Sequence, residues 1–479
     1  VLPLIITSQS VTPQWLAKMV VYVHDSIQSM RQTWYTPATS NIYFAQVQAL
    51  IQNAIFFPEY VDAQEWFEEG VGLVTSQLSD QFNSDGVQNE LDASYHLGVV
   101  SNFESIQNFA VANGRLASFP ADYATLLKNS CRFVMDFMYP DYSFESFNDT
   151  RSARQSKSVL LRNLQSYYAM FPDDEELHWM SSNRTAGKEP TSLVQEYPAS
   201  GYYMMRSSWA ENSLMLILKN NYNPANAWHC QPDNGTVALY NKGRKFLPDA
   251  GVFTYNTGSV RTKYASTMMH NTLTRAKATI ANGHMLGREI CHQTASKYEV
   301  IVTENPSYDD LTHRRAIYMV DKSFYVVVDE AYGKAATDVN VHWHLCADTS
   351  GSLGEDAVVI DDYGSGAYGA HTVFADNNNM LFKTFAETGA ASSAENGISN
   401  SSNEIDVTYT RRYYTMTLAK EADKAARFIT VIYPVGTAAE AASTEISAAF
   451  SGENGAFSAN GCSLTVTVNG TAYSLSYSL

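Results

Sequence analysis

Apolar residues recur at helical spacing along the first part of the chain. Residues 13–34, 40–57 and 123–138 carry apolar positions three and four apart, and each segment therefore predicts an amphipathic helix. Ser40 is predicted to cap the second of these helices, because a serine side chain accepts the free N–H groups at a helix start. Pro, Gly and Asp occupy the connections, so we expect stacked helix pairs in a bundle, a solenoid or a toroid.

From about residue 195 the pattern changes to short alternating or continuous apolar runs, which predict strands. Asn241-Lys-Gly and Asp321-Lys-Ser lie between such runs and predict hairpin turns. The polar segment 387–403, ETGAASSAENGISNSSN, is predicted to be a loop. Because helices precede strands along the chain, we predict an α+β fold. The predicted domains are a helical domain at 1–192, an antiparallel β-sandwich with a metal site at 193–374, and a C-terminal β-sheet region at 375–479.

Composition narrows the class of partner. The 479 residues carry a formal net charge of −17, so the basic surface of a nucleic-acid-binding protein is not expected. The 30 tyrosines suit either a carbohydrate-binding cleft or a tyrosine-rich sheet. We expect no membrane-spanning helix, and the opening VLPLII lacks the basic flank of a signal peptide. If the protein is exported, its signal is expected to have been removed from this chain.

The stretch AWHCQPDNG, residues 227–235, groups polar side chains directly after an apolar strand. Gln231, together with Asp249 and His270 further along the chain, offers two oxygens and a nitrogen to a divalent ion. The alternative is that Asp233 and Asp249 stabilise turns while His270 hydrogen-bonds within the sheet. The spacing matches no local metal motif, so both interpretations stay open from the pattern.

A second group of polar residues, Gln88, Glu90, Tyr95 and His96, lies at the start of a predicted helix. Adjacent residues on a helix diverge by about 100°. Tyr95 and His96 can therefore both reach a cleft only if the helix end faces it, and the alternative is a structural pair at the helix boundary. Asn41 also lies at a helix start, where an asparagine is commonly a cap.

Arginines form a further set of candidates. Most surface arginines are solvated, but an arginine beside an acidic sugar would bind its carboxylate through two parallel hydrogen bonds. The arginines considered for this role are Arg151, Arg154, Arg206 and Arg261.

Three segments of the strand region together resemble a known family. YPASGYYMMRSSW, AWHCQPDNGTVALYNKGRKFLPDAGVFTY and MMHNTLT look like the β-domain signature of heparinase II/III-type polysaccharide lyases. The order Asn41, Tyr95, His229 is similar to that of the heparan-sulfate lyases (heparinase III, polysaccharide lyase family 12). The resemblance covers most of residues 30–345.

The resemblance implies an α/α toroid followed by an antiparallel β-sheet or β-sandwich domain, with a cleft between the two. The toroid is expected to be incomplete, because less helical sequence precedes Asn41 than in the family. The implied activity is β-elimination at a uronic acid. Tyr95 would be the general acid/base, His229 its partner across the cleft and Asn41 the group that holds the substrate carboxylate, with assistance from His96.

The resemblance also supplies binding roles. Gln231, Asp249 and His270 would hold a structural divalent ion, calcium or zinc. The acidic polysaccharide substrate would contact Glu90, Arg154, Arg261 and Trp228. Neutralising the uronate carboxylate stabilises the anion that forms when the C5 proton leaves, and tyrosine and histidine can transfer protons if their pKa values are suitably shifted.

We therefore predict a periplasmic or secreted lyase that acts on heparan sulfate of low sulfation, because the acidic chain suits a sparsely sulfated polymer. One alternative is an alginate or chondroitin/hyaluronan lyase, and another is a glycan-binding protein without activity. A glycoside hydrolase would need a pair of carboxyl groups facing the cleft, for instance among Glu90, Asp92 and Asp233. The sequence does not indicate an oligomeric state.

Overall fold

The computed structural model of the protein describes residues 8–38, 40–151, 155–220, 229–281, 284, 286–348, 354–364, 366–387, 392–399, 410–452 and 456–479. The helices of these residues are α1 (Pro13–Gln32), α2 (Asn41–Phe56), α3 (Ala63–Gln81), α4 (Ala93–Ala112), α5 (Ala121–Phe137), α6 (Lys157–Met170), α7 (Glu175–Ser181), α8 (Ser259–Tyr264) and α9 (Ala438–Ser443).

Polar side chains begin several of these helices. Thr12 accepts the backbone N–H of Trp15 at the start of α1, and Ser40 accepts the N–H of Tyr43 at the start of α2. These bonds satisfy N–H groups that have no partner within the helix. The predicted cap at Ser40 is therefore confirmed.

The strands form four antiparallel sheets. Their bounds are β1 (Val194–Tyr197), β2 (Tyr202–Arg206), β3 (Met215–Lys219), β4 (Thr236–Asn241), β5 (Arg244–Lys245), β6 (Leu273–Arg275), β7 (Arg288–Thr294), β8 (Tyr298–Tyr308), β9 (Leu311–Val320), β10 (Phe324–Tyr332), β11 (Thr337–Asp348), β12 (Val358–Gly364), β13 (Ala367–Thr372), β14 (Asn379–Ala386), β15 (Ser392–Ile398), β16 (Thr410–Lys420), β17 (Ala426–Val435), β18 (Ile446–Phe450), β19 (Gly461–Val468) and β20 (Thr471–Ser478). The strand orders are β1-β2-β3-β4-β5, β12-β13-β14-β17-β10-β9-β8-β7, β15-β16-β11-β6 and β18-β19-β20.

The large sheet is buried on both faces. Along β10, Tyr325 and Val327 join one core cluster, which also contains residues of the first and third sheets. Val326 and Val328 join a second cluster with residues of β18, β19 and β20. Successive side chains of a strand point to opposite faces, so burial of both faces explains why β10 reads as a continuous apolar run.

The two predicted hairpins are present. Lys242 and Gly243 have positive φ values of 46° and 82° between β4 and β5, the backbone form that a tight two-residue hairpin requires. Asp321 and Lys322, at φ 48° and 54°, connect β9 to β10.

The loop predicted for 387–403 is wrong over residues 392–398, which form strand β15. Residues 388–391 and 400–403 lie outside the described part of the chain. β15 pairs with β16 from Ser392 to Ile398, and almost all of its side chains are exposed. Backbone hydrogen bonds hold this edge strand, so it lacks the apolar alternation by which strands are recognised.

The chain divides into two compact units. One contains residues 1–86 and 99–130, and the other contains residues 87–98 and 131–479. The first unit is helical, with Val47 and Leu50 of α2 fully buried and the rings of Phe44 and Phe103 packed edge to face. The second contains the strands with α6, α7, α8 and α9. The units divide at other positions than residues 192 and 374, and the predicted domain limits stay a prediction.

Candidate functional site

Tyr95 lies in the first turn of α4, where Asp92 fixes the start of the helix. One carboxylate oxygen of Asp92 accepts the backbone N–H groups of Ser94 at 2.8 Å and Tyr95 at 3.1 Å. The Tyr95 side chain is 36% exposed. It lines a cleft of about 240 Å³, which we call the Tyr95 cleft, together with Ser94, Asp149, Arg151 and Gln155.

His229 stacks directly on Tyr95. The ring centroids are 3.9 Å apart and the ring planes differ by 14°. The sequence predicted a partner across the cleft, but a gap of this size leaves no room for a sugar ring between the two side chains. The two rings are therefore in contact with each other rather than separated by the cleft. The edge of the Tyr255 ring completes the cluster, with its centroid 6.3 Å from that of His229.

Asp149 holds the imidazole of His229. The Oδ2 atom of Asp149 lies 3.1 Å from Nδ1 of His229. Nη2 of Arg261 donates to both oxygens of Asp149, at 2.7 and 2.9 Å. Asp149 is buried, so Arg261 compensates its charge in a setting where an unpaired carboxylate would be costly.

The charges around His229 favour its protonated form. Burial opposes the imidazolium, but the hydrogen bond to Asp149 and the charges of Glu90 and Asp149 outweigh it and raise the pKa of His229. Nε2 of His229 lies 3.8 Å from Oε2 of Glu90. Burial raises the pKa of Glu90 and raises the pKa of Asp92 to about 7.

His96 is buried, with 1% of its surface exposed. Its Nδ1 accepts the backbone N–H of Gln88 at 3.1 Å, and its ring packs edge-on against Phe133. These contacts are those of a histidine that stabilises the loop before α4. The predicted assistance of His96 to catalysis stays a prediction.

The other residues predicted to contact substrate are placed as follows. Asn41 is exposed as the first residue of α2, in the other compact unit, and its role stays a prediction. Arg154 and Trp228 lie outside the described residues. The guanidinium of Arg261 bonds Asp149 and the backbone carbonyl of Val252, at 3.1 Å. Its position therefore fits the support of Asp149.

A buried cluster of candidate metal ligands consists of Asp233, Asp249 and His270. Nδ1 of His270 lies 2.8 Å from Oδ2 of Asp249 and 4.0 Å from Oδ2 of Asp233. Two of the three predicted ligands, Asp249 and His270, are thus brought together. Gln231, the third, uses its side-chain nitrogen to donate to the backbone carbonyl of Asn148 at 2.9 Å. Its ligation stays a prediction, whereas Asp233 joins the cluster.

The cluster fits a divalent ion by its chemistry. Two carboxylates and an imidazole converge from three chain segments in a fully buried place, and such donors suit a borderline ion such as zinc. Lys219 pairs with Oδ1 of Asp233, which leaves Oδ2 on the side of His270. Nε2 of His270 is buried and has no hydrogen-bond partner among the described residues.

Sequence reasoning missed Asp149 and Tyr255 and considered Arg151 only among several arginines. Asp149 lies 80 positions before His229, so no local motif joins them. Its one sequence signal is its place in NDTRSAR, next to those arginines. Tyr255 is the last residue of the segment PDAGVFTY, in which only Asp249 was considered, as a metal ligand.

Two family models match the chain. The Heparinase II/III N-terminus matches residues 2–179, and Heparinase II/III-like, C-terminal matches residues 189–433. A heparin-sulfate lyase of Bacteroides thetaiotaomicron is 34% identical, and the match covers 98% of this chain and 68% of that protein. A heparin-sulfate lyase of Bacteroides stercoris is 29% identical, with 99% of this chain and 68% of that protein covered.

Solved structures agree with these matches. A crystal structure of heparinase III is 34% identical with a TM-score of 0.84, and the match covers 99% of this chain and 72% of that chain. Heparan sulfate lyase HepC from Pedobacter heparinus is 25% identical with a TM-score of 0.87 and covers 99% and 71%. The predicted resemblance, fold class and enzyme class are confirmed. The chain therefore belongs to the heparinase II/III family of polysaccharide lyases.

Proposed function

We propose that this enzyme cleaves heparan sulfate of low sulfation by β-elimination and leaves an unsaturated uronate at the new chain end. The observation that carries the proposal is the stack of Tyr95 and His229 at the Tyr95 cleft, with Asp149 behind the imidazole. The names of the relatives, which are heparin-sulfate lyases, support the choice of polymer.

In the proposed reaction Tyr95 acts as general base and then as general acid. The phenolate of Tyr95 removes the C5 proton, the electron pair forms the C4–C5 double bond, and the C4–O bond breaks. The leaving oxygen takes the proton back from Tyr95. An imidazolium of His229 against the tyrosine ring stabilises the phenolate, and the raised pKa of His229 supports that charge.

The direct stacking of Tyr95 and His229, which places both on one side of a bound sugar, favours glucuronate as the cleaved sugar. In a 4-linked β-D-glucuronate the C5–H and C4–O bonds lie on the same face of the ring, so one residue can reach both. In α-L-iduronate the two bonds lie on opposite faces, which calls for groups on both sides of the sugar. The 3.9 Å spacing of Tyr95 and His229 suits the first geometry.

Charge supports a sparsely sulfated polymer. The chain has a net charge of −17. Arg151 is the one cationic residue among the described residues that line the Tyr95 cleft. A densely sulfated chain would need several cations close together to overcome the repulsion from the protein.

The hydrolase alternative receives no support from the predicted acidic pair. Asp92 and Asp233 are 1% and 0% exposed, respectively. Burial holds the pKa of Asp92 near 7, and Lys219 pairs with Asp233. Asp149, the carboxylate among the described cleft-lining residues, is engaged with Arg261 and His229, whereas a hydrolase needs two available carboxyl groups.

We also propose that Asp233, Asp249 and His270 bind a divalent ion, and the imidazole favours zinc over calcium. Such an ion would hold together the segments that follow His229. The expected readout is metal in the purified protein, measured by mass spectrometry, together with a lower melting temperature after chelation. Protein that contains no metal and whose melting temperature is unaffected by chelation or by added zinc would contradict this site.

We further propose that the enzyme acts in the periplasm or after secretion, where a large extracellular polymer is available. Fractionation of the producing cells tests this location. Among the described residues, no helix combines the length and apolar character that a membrane crossing requires.

The test of the proposed activity is the ultraviolet absorbance of the unsaturated uronate during incubation with heparan sulfate, heparin, chondroitin sulfate, hyaluronan and alginate. We expect the largest rate with heparan sulfate and a lower rate with heparin. A faster reaction with alginate or hyaluronan would overturn the substrate, and glucosidic cleavage without the absorbance rise would overturn the elimination.

A further inference from the structure

Arg151 is placed in the Tyr95 cleft with donors to spare. Its half-buried side chain lines the cleft beside Tyr95. Among the described residues, no carboxylate lies within ion-pair distance of its guanidinium, and its buried Nε has no hydrogen-bond partner. An arginine offers five N–H donors, so this one has the capacity for a ligand that enters the cleft.

The neighbouring arginine has a different task. The guanidinium of Arg261 donates hydrogen bonds to both oxygens of Asp149 and to the Val252 carbonyl. A substrate carboxylate could take Arg261 only by leaving buried Asp149 uncompensated, which is costly. Arg151 faces no such competition.

Tyr255 supports Arg151 from one side. The guanidinium carbon of Arg151 lies 5.1 Å from the centroid of the Tyr255 ring, within the range of a cation–π contact. Burial and a hydrogen bond with Tyr95 raise the pKa of Tyr255, and a hydrogen bond with Arg151 opposes this rise only in part. Tyr255 therefore stays neutral beside the guanidinium and restricts where it can lie.

We propose that Arg151, held against the ring of Tyr255, binds the carboxylate of the uronate that is being cleaved. This proposal rests on the proposed function. The carboxylate is attached to C5, the atom from which Tyr95 removes the proton, so a cation in the same small cleft reaches it. Arg151 then neutralises the carboxylate as negative charge flows onto it in the transition state, which lowers the barrier.

The test compares Arg151→Gln, Arg151→Lys and the control Arg162→Gln on the unsulfated backbone of heparan sulfate, a polymer of glucuronate and N-acetylglucosamine. Arg151→Gln removes the parallel N–H donors of the guanidinium and should lower kcat/KM about 100-fold, the scale of one lost transition-state donor. Lysine keeps the charge without these parallel donors and should retain more activity than glutamine. Arg162 is an exposed residue of α6 that does not line the cleft, and its variant should behave like the parent enzyme.

Tyr255→Leu tests the support. We expect kcat/KM to fall by about tenfold, a typical cation–π contribution. In the Arg151→Gln background the same change should cost clearly less, because residues that act together are not additive, and only the contacts of Tyr255 with Tyr95 and His229 are then lost. Equal losses from Tyr255→Leu in both backgrounds would contradict the supporting role.

Two outcomes overturn the role of Arg151. Parent-like kinetics of Arg151→Gln on the unsulfated polymer would remove it from carboxylate binding. Loss that is confined to sulfated polymers would assign the cation to a sulfate. A parent enzyme that eliminates no polymer would instead refute the proposed function. In that case the role of Arg151 is tested by binding. The affinity of Tyr95→Phe for the unsulfated polymer is compared with that of the double variant Tyr95→Phe, Arg151→Gln, and equal affinities contradict the proposal.

Discussion

Replacing Asp149 with asparagine tests whether this residue aims His229. Asp149 is 1% exposed and receives two contacts from Arg261, one from His229 and a longer one, at 3.4 Å, from the side chain of Gln231. Hydrogen bonds to a charged group contribute about 1.5–3 kcal/mol each. Arg261 is 22% exposed, so water replaces part of what it loses. We therefore expect the free energy of unfolding to fall by about 3 kcal/mol.

The same variant should lose rate rather than affinity. An asparagine cannot hold a charged imidazole as the carboxylate does, and loss of such an orienting group lowers kcat strongly, here by about 100-fold or more. KM should change little, because Asp149 is engaged with protein groups rather than with substrate. Initial rates of uronate absorbance and urea unfolding curves measure the two effects.

Asp376→Asn provides a matched control. Arg244 also donates to both oxygens of Asp376, at 3.1 and 2.9 Å, but this pair lies at the surface, with Asp376 54% exposed. Exposed ion pairs contribute about 0–1 kcal/mol, so neither stability nor rate should change much. If Asp149→Asn matched this control in kcat, the positioning of His229 by Asp149 would be refuted.

Three further predictions concern stability. Burial and, to a smaller extent, the neighbouring carboxyl group of Glu196 raise the pKa of Glu289 to about 7. The folded state therefore binds this proton more tightly than the unfolded chain does, and it loses stability as pH rises from about 4.5 to 7. In thermal unfolding, the Glu289→Gln variant should therefore be as stable as the parent at pH 4 and more stable at pH 8, by at most about 1 kcal/mol because the group is partly exposed. A variant that is more stable than the parent only at pH 4 would contradict this pH dependence. Lys219→Met should cost about 3 kcal/mol in urea unfolding, since it removes the buried cation that pairs with the buried carboxylate of Asp233, and unchanged stability would contradict a contribution of this pair. Gly369→Ala would place a Cβ 2.0 Å from a backbone carbonyl oxygen of β14; it should cost about 2–3 kcal/mol, and a tolerated alanine would show that β13 can shift.

Periodicity predicted the elements that bury apolar surface. The helix at 41–56 and the strands on either side of Asp321 were recognised because their apolar positions follow the period of the structure. Strand β15 was missed for the converse reason. It pairs with β16 through backbone groups, and the pattern of apolar side chains does not indicate such pairing.

The site was predictable where the order of residues along the chain resembles that of the family. Tyr95 and His229 were identified in this way, and the structure stacks them. The partners of a charge cannot be read from sequence, so Arg261 was expected to bind substrate although it faces Asp149. Asp149 and Tyr255 reach the cluster through tertiary folding, because neither shares a local motif with Tyr95.

The most direct test of the central claim is elimination by Tyr95→Phe on heparan sulfate. Phenylalanine keeps the ring that stacks on His229 and removes the hydroxyl that transfers the proton. The account predicts that the parent enzyme produces the unsaturated uronate, whereas the variant binds the polymer with similar affinity and produces almost none. A variant that eliminates at the rate of the parent would contradict the account, because the proton transfer would then belong to another residue.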